Sequence, residues 1–238
     1  MNGNQSEGVK QDHLVHVTSA VIERGSLKSV SRPENAPSER RLTPRGAATR
    51  ARIVAAAADL MSVQGVHATT LDDVRAASAT SKSQFYNHFP GKEELVRAVV
   101  AARAAQVLER ERGYLQRLKS FRGLVRWRDA LVQRNALLNG AYGCALGSMA
   151  NELADQDDQA RAMLAESFVA WEGLLAAGLR RMRDNGVLKP TVAPETLATG
   201  LMAALQGGYL LAETAHDVKP MEIALDMALD HVKSFLTT

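Results

Sequence analysis

Seven side chains able to meet nucleic acid fall within eight positions of this chain: Ser81, Lys82, Ser83, Gln84, Tyr86, Asn87 and His88. Gln and Asn pair bidentately with adenine, Lys bonds guanine, and hydroxyls reach base edges or phosphate. Tyr86 adds a phenol at the end of a rigid arm. Thr69 and Thr70 stand upstream at a predicted helix start, where free N–H groups and the helix dipole attract phosphate. Lys92 occupies the same kind of place one helix later. Arg40, Arg41, Arg45, Arg50 and Arg52 precede the unit with no acid among them, an arm suited to a phosphate backbone or a minor groove. A polar helical hairpin that touches only solvent is the alternative.

Helices must position these groups. Ile53, Ala57, Leu60 and Met61 share one face of a first helix, about 47–64, and Gly65 supplies its stop. Thr70 opens the next helix three residues before Asp73, close to a capping box. Leu71, Val74 and Ala77 are expected to face inward. Ala79 and Thr80 make the turn. Lys82 to His88 forms the third helix, with Phe85 and Phe89 inward. Pro90-Gly91 ends it, and a fourth begins near Lys92 with Leu95, Val99 and Ala102 on its buried face.

Further helices are predicted near 121–139, 146–155, 157–185, 193–216 and 219–236, punctuated by Asn, Gly and Pro. Asp157 and Asp158 at the start of the third of these, and Arg180, Arg181 and Arg183 near its end, suit its dipole. Alternating strand patterns and repeats are absent from the sequence. Residues 1–43, polar and without periodicity, read as a disordered extension. The expected division is therefore this extension, a helix-turn-helix unit at 44–92 and a helical bundle at 93–238, an all-α chain.

The net charge of +3 is unevenly spread. Residues 40–119 carry 14 basic against 7 acidic groups, net +7, whereas 1–39 are net −1 and 120–238 net −3. The positive field thus coincides with the segment that would meet phosphate. One cysteine, Cys144, excludes an intrachain disulfide and favours a reducing compartment such as the cytoplasm. No uninterrupted apolar run approaches the roughly 18 residues of a membrane span, so no membrane partner is expected.

Within the bundle, Trp127, Tyr142, Cys144, Met149, Phe168, Trp171, Met202, Gln206 and Tyr209 form a candidate effector set. Pockets between facing helices are mostly apolar with a few polar groups, and Met adapts its shape. Each residue alone fits an ordinary core position; the set carries the expectation. Cys144 is as a lone cysteine either a redox sensor or, more commonly, inert. The last two helices carry Gly200, Gly207 and Gly208 for close approach. Leu201, Leu205, Tyr209, Ala212, Ile223, Met227 and Val232 place apolar surface on more than one face, which requires two partners.

Thr49 to Leu95 resembles the TetR family of bacterial transcriptional regulators. The carriers are Gly65, Thr69-Thr70, Tyr86-Asn87-His88-Phe89 and Lys92-Glu93-Glu94-Leu95, in the family's order. Ser78-Ala79-Thr80 departs from its customary Ala-Gly-Val turn, Arg75 from a small residue and Ser83 from Gly. SKSQFYNHF with Gly143 to Asp155 also looks like the branch typified by LmrA and YxaF, although Ala145 stands where Pro is usual. The resemblance implies a homodimer whose last two helices meet across a two-fold axis. It also implies repression at a palindromic double-stranded DNA operator, release by a small apolar or aromatic effector, and control of an efflux or detoxification gene. By the same pattern Thr70, Ser81, Tyr86, His88 and Lys92 fall on phosphate, and Lys82, Ser83, Gln84 and Asn87 read bases. His88 could equally pack between helices.

An enzyme is not expected. The six histidines lack metal-ligand spacing, and neither a nucleophile elbow nor a phosphate loop occurs. No cofactor is implied. A protein-interaction module with a vestigial helix-turn-helix is the remaining alternative.

Overall fold

The first helix breaks where the sequence places its glycine. The computed structural model describes residues 42–137 and 143–237. Helix α1 spans Pro44–Ala68, with Pro44 in its first turn and the Thr43 hydroxyl accepting from the Gly46 N–H. At Gly65 φ is +84° and ψ 165°, a backbone conformation essentially closed to residues with a Cβ. The chain kinks there and buries Val66.

Among the described residues eight helices follow: α2 Leu71–Ala77, α3 Lys82–His88, α4 Lys92–Leu115, α5 Phe121–Ala136, α6 Ala145–Leu153, α7 Asp158–Asp184, α8 Pro194–Ala215 and α9 Lys219–Lys233. Among the described residues the only extended pairing is a single bridge between Leu188 and Leu236. Helix α3 matches its expected span residue for residue. Thr70 forms the anticipated capping box, its hydroxyl accepting from Asp73 N–H while the Asp73 carboxylate accepts from Thr70 N–H. One inward assignment changes: Ala77 is exposed, with Ser78 and Thr80 buried in its place. Leu71 and Ala102 are half-buried against the core. The expected extension lies outside the described residues except for its last two.

Helix α7 packs against α4, α6 and α8; α8 packs on α9, and α1 on α4 and α6. One apolar core runs from Ile53 to Val232. By length and composition α7 could cross a membrane; here it buries Trp171, Leu175, Leu179 and Met182 in that core. Asp157 caps α7 by accepting from Gln159 and Ala160 N–H, and also accepts from Arg97 of α4 at 3.1 Å. Arg181 does more than answer the α7 dipole: its guanidinium donates to the carbonyls of Leu115 (2.6 Å) and Leu118 (3.0 Å), closing the end of α4. Gly208 lets α8 approach α9, since a Cβ there would stand 3.0 Å from the Met221 Cα.

Candidate nucleic-acid interface and adjoining cavity

Helix α3 owes its orientation to two buried rings. Phe85 and Phe89 are 0% and 1% exposed and meet at 6.3 Å between centroids. Fixing them leaves Lys82, Ser83, Gln84, Tyr86 and Asn87 on the outer surface. Tyr86 is 41% exposed, with its ring edge-on to Phe85. Ser81 caps the helix: its hydroxyl accepts from Gln84 N–H, and Gln84 Oε1 accepts from Ser81 N–H. The Gln84 amide nitrogen remains available as a donor.

The turn from α2 to α3 explains its unusual composition. Ala79 adopts φ +49°, the left-handed region that costs a residue with a Cβ about 1–2 kcal/mol. Compensating contacts surround it. Ser78 and Thr80 hydroxyls are 2.9 Å apart, Thr80 N–H donates to the Arg75 carbonyl, and Arg52 Nε donates to the Ser78 carbonyl at 2.9 Å. Buried Thr80 thus fills a core position with its hydroxyl satisfied by Ser78.

Other expected contacts are placed differently. Thr69 is 1% exposed and its hydroxyl donates to the Gly65 carbonyl at 2.7 Å; it closes the α1 kink and is withdrawn from the surface. Thr70 stays exposed, although its hydroxyl donates to Asp73. Lys92 is half-buried, with Nζ donating to the His67 carbonyl at 2.9 Å. His88 is half-buried beside Gly46, whose added Cβ would lie 3.8 Å from the His88 ring, so it packs between α3 and α1. Arg50 is exposed with its guanidinium 5.0 Å over the Phe89 ring. Arg45 is exposed; Arg40 and Arg41 lie outside the described residues.

A cavity of about 630 Å³ opens between α1, α4, α5, α6 and α8. Met61, Val99, Val107 and Met149 form its apolar wall, and Arg110, Arg134, Asn135 and Glu152 are among its polar groups. Of the expected effector residues, Cys144, Met149 and Tyr209 line it. Phe168 and Gln206 line a smaller hollow of about 360 Å³ that shares Cys144 and Tyr209. Trp127, Trp171 and Met202 line neither. Trp127 is held in the core because its Nε1 donates to Glu111 at 2.8 Å, Trp171 is fully buried on α7, and Met202 is buried on α8. Tyr142 lies outside the described residues.

Burial sets the chemistry of the groups along this wall. It pushes the Cys144 thiol up, away from the reactive thiolate and against the redox alternative. It also pushes the Tyr209 phenol up, so the ring keeps its O–H as a donor. The Glu213 carboxyl is raised by the same cause.

The family model for bacterial regulatory proteins of the tetR family matches residues 53–99, and that for tetracyclin repressor-like C-terminal domains matches 115–228. The chain belongs to the TetR family. It is accordingly a DNA-binding transcriptional regulator. This TetR-family chain is 27% identical over 177 residues to the HTH-type transcriptional repressor DhaR of Mycobacterium sp. strain GP1, covering 70% of this chain and 83% of that one. It is also 27% identical over 185 residues to the HTH-type transcriptional regulator YxaF of Bacillus subtilis strain 168, covering 76% and 92%. A TetR transcriptional regulator from Chloroflexus aurantiacus shares the fold at a TM-score of 0.71 and 24% identity, over 82% of this chain and 98% of that one.

Several residues of this TetR-family structure were invisible to motif reasoning. Arg52 braces the turn, Glu152 joins the cavity to α1, and buried Glu111 pairs with half-buried Arg110 and Arg134. Glu111 did carry a signal. It falls four residues after Val107 and four before Leu115, in the buried stripe of α4.

Proposed function

We propose that this regulator is a homodimeric repressor that sits on a palindromic operator in the bacterial cytoplasm and is released by a small molecule entering the cavity. One observation carries the DNA half: α3 presents Lys82, Ser83, Gln84, Tyr86 and Asn87 outward from a rigid Phe85–Phe89 foundation. In this reading residues 44–92 are the DNA-binding domain and 93–238 the effector and dimerisation domain. Lys82, Ser83, Gln84 and Asn87 read bases. Ser81, Tyr86, Thr70, Arg45 and Arg50 meet phosphate. DhaR is named a repressor, which favours repression over activation. Control of an export or detoxification gene rests on the branch resemblance of SKSQFYNHF and Gly143–Asp155.

Dimerisation is supported by an unpartnered apolar face. Leu210 and Leu211 of α8 and Ile223 and Met227 of α9 are 50–69% exposed on neighbouring helices, whereas Leu201, Leu205, Tyr209, Ala212 and Val232 are buried within the chain. A two-fold axis through that face sets two α3 helices against half-sites one helical turn apart, about 34 Å. The test is selection of bound duplexes from a randomised pool. Enrichment of a palindrome supports the proposal; recovery of unselected sequence removes it.

A further inference from the structure

The α4–α5 wall of the cavity holds two guanidinium groups for one carboxyl. Glu111, 0% exposed, accepts from Arg110 Nε at 3.0 Å through Oε1 and from Trp127 Nε1 at 2.8 Å through Oε2. Arg134 Nη1 lies 3.6 Å from the already engaged Oε1. It is buried and has no hydrogen bond among the described residues. The next residue, Asn135, is 4% exposed and lines the same cavity, with its amide Oδ1 also unpartnered.

Buried donors and acceptors are nearly always satisfied, and an orphaned charged donor is the most unfavourable to leave so. The remaining cavity acids are placed elsewhere: Asp59 pairs with Arg103 at 3.5 Å, and Glu152 accepts from His67 N–H. Glu213, on α8, lies with its carboxyl against Gly143. The wall therefore offers a half-buried positive head site, with Arg134 Nη1 withdrawn from solvent, beside the apolar surface of Val99, Val107 and Met149. Guanidinium groups match oxyanions in geometry as well as in charge.

We propose that the effector is a small organic acid. Its carboxylate seats on Arg134 with Arg110 behind it, a hydrogen-bonding group next to the head faces Asn135, and its apolar body lies along Val99, Val107 and Met149. This rests on the effector-released switch proposed above and replaces an effector recognised by apolar contact alone.

Calorimetric titration of the full chain with matched acid and amide pairs tests it: 4-phenylbutyrate, octanoate and indole-3-acetate against their primary amides, at constant ionic strength. At least one acid is expected to bind about ten- to hundredfold more tightly than its amide. Arg134→Gln should erase that preference and Arg134→Lys keep part of it, with melting curves confirming that both fold; the wild-type comparison needs no variant. An amide that binds as tightly as its acid, or an acid preference surviving Arg134→Gln, overturns the assignment while leaving the switch intact. Absence of binding by every acid also overturns it. Val107→Trp, which fills the cavity, then decides for the switch: altered promoter occupancy in cells retains it, and unaltered occupancy removes it.

Discussion

Glu152 Oε2 accepts a hydrogen bond from the His67 backbone N–H at 3.1 Å, joining the cavity wall on α6 to the end of α1. The His67 carbonyl in turn accepts from Lys92 Nζ at the start of α4. These two contacts bracket the α2–α3 unit, and Gly65 beneath them leaves room for the Glu152 carboxylate, 3.1 Å from where a Cβ would stand. A ligand moves an equilibrium only through different affinities for its two states. A group touching both the cavity and the DNA-reading unit is where such a difference can be transmitted.

Glu152→Ala is therefore expected to reduce the effect of a bound ligand on operator affinity by about two- to tenfold. It should also lower stability by about 1 kcal/mol. Operator titration with and without a saturating ligand, alongside a melting curve, checks both.

Ala79→Gly should stabilise the chain by about 0.5–1 kcal/mol. Glycine relieves the penalty of φ +49°, and part of that gain is offset by greater freedom in the unfolded chain. Chemical denaturation measures the difference. A loss of stability would show that Ala79 makes a contact outweighing its backbone strain.

Asp157 ties pH to stability. The Ala160 N–H bond, followed by Arg97, holds its carboxyl below the usual carboxylate range. Because the folded state prefers the ionised form, this stabilisation is present above about pH 3.9, the ordinary aspartate value. It is lost as pH falls from there through the lower folded value. Asp157→Ala should cost about 1–2 kcal/mol at pH 7, with the gap between variant and wild type closing as acidification proceeds. Denaturation at pH 7, 4 and 3 reads this out.

Met227→Glu tests the α8–α9 face. Met227 is 69% exposed, with Ile223 also exposed, on a helix that buries Met221, Leu225, Leu229 and Val232. A charge there should yield a monomer of unchanged helicity by sedimentation velocity, with operator affinity falling at least tenfold as the second half-site is lost. A variant that remains dimeric would move the interface elsewhere.

Helix positions were legible because caps, glycines and apolar spacing are local. Thr70 with Asp73, Gly65 and the Phe85–Phe89 pair each announce their roles within four residues. What stayed hidden depends on distant partners. Thr69 and Lys92 sit at plausible phosphate positions, yet the carbonyls of Gly65 and His67 claim them, and nothing local distinguishes a capping donor from a free one. The effector set divides, because large apolar residues fill core and cavity alike: Cys144, Met149 and Tyr209 line the cavity and Phe168 and Gln206 the adjoining hollow. Trp127 and Trp171 lie in the core, and the cavity wall also takes Arg134 and Asn135, polar residues next to the buried Leu131 and Val132 of α5. Glu111 was the clue, since a carboxyl inside an apolar stripe requires donors or cations beside it.

Operator recognition by α3 is tested most directly by fluorescence anisotropy on the gene's own upstream DNA and a shuffled duplex of equal composition. Wild-type chain should bind the native fragment at least a hundredfold more tightly than the shuffled one, its log affinity falling linearly with log salt concentration. Lys82→Ala and Tyr86→Ala should each weaken the native complex about tenfold or more with unchanged melting temperature. Equal affinity for both duplexes, or native affinity in both variants, would contradict it.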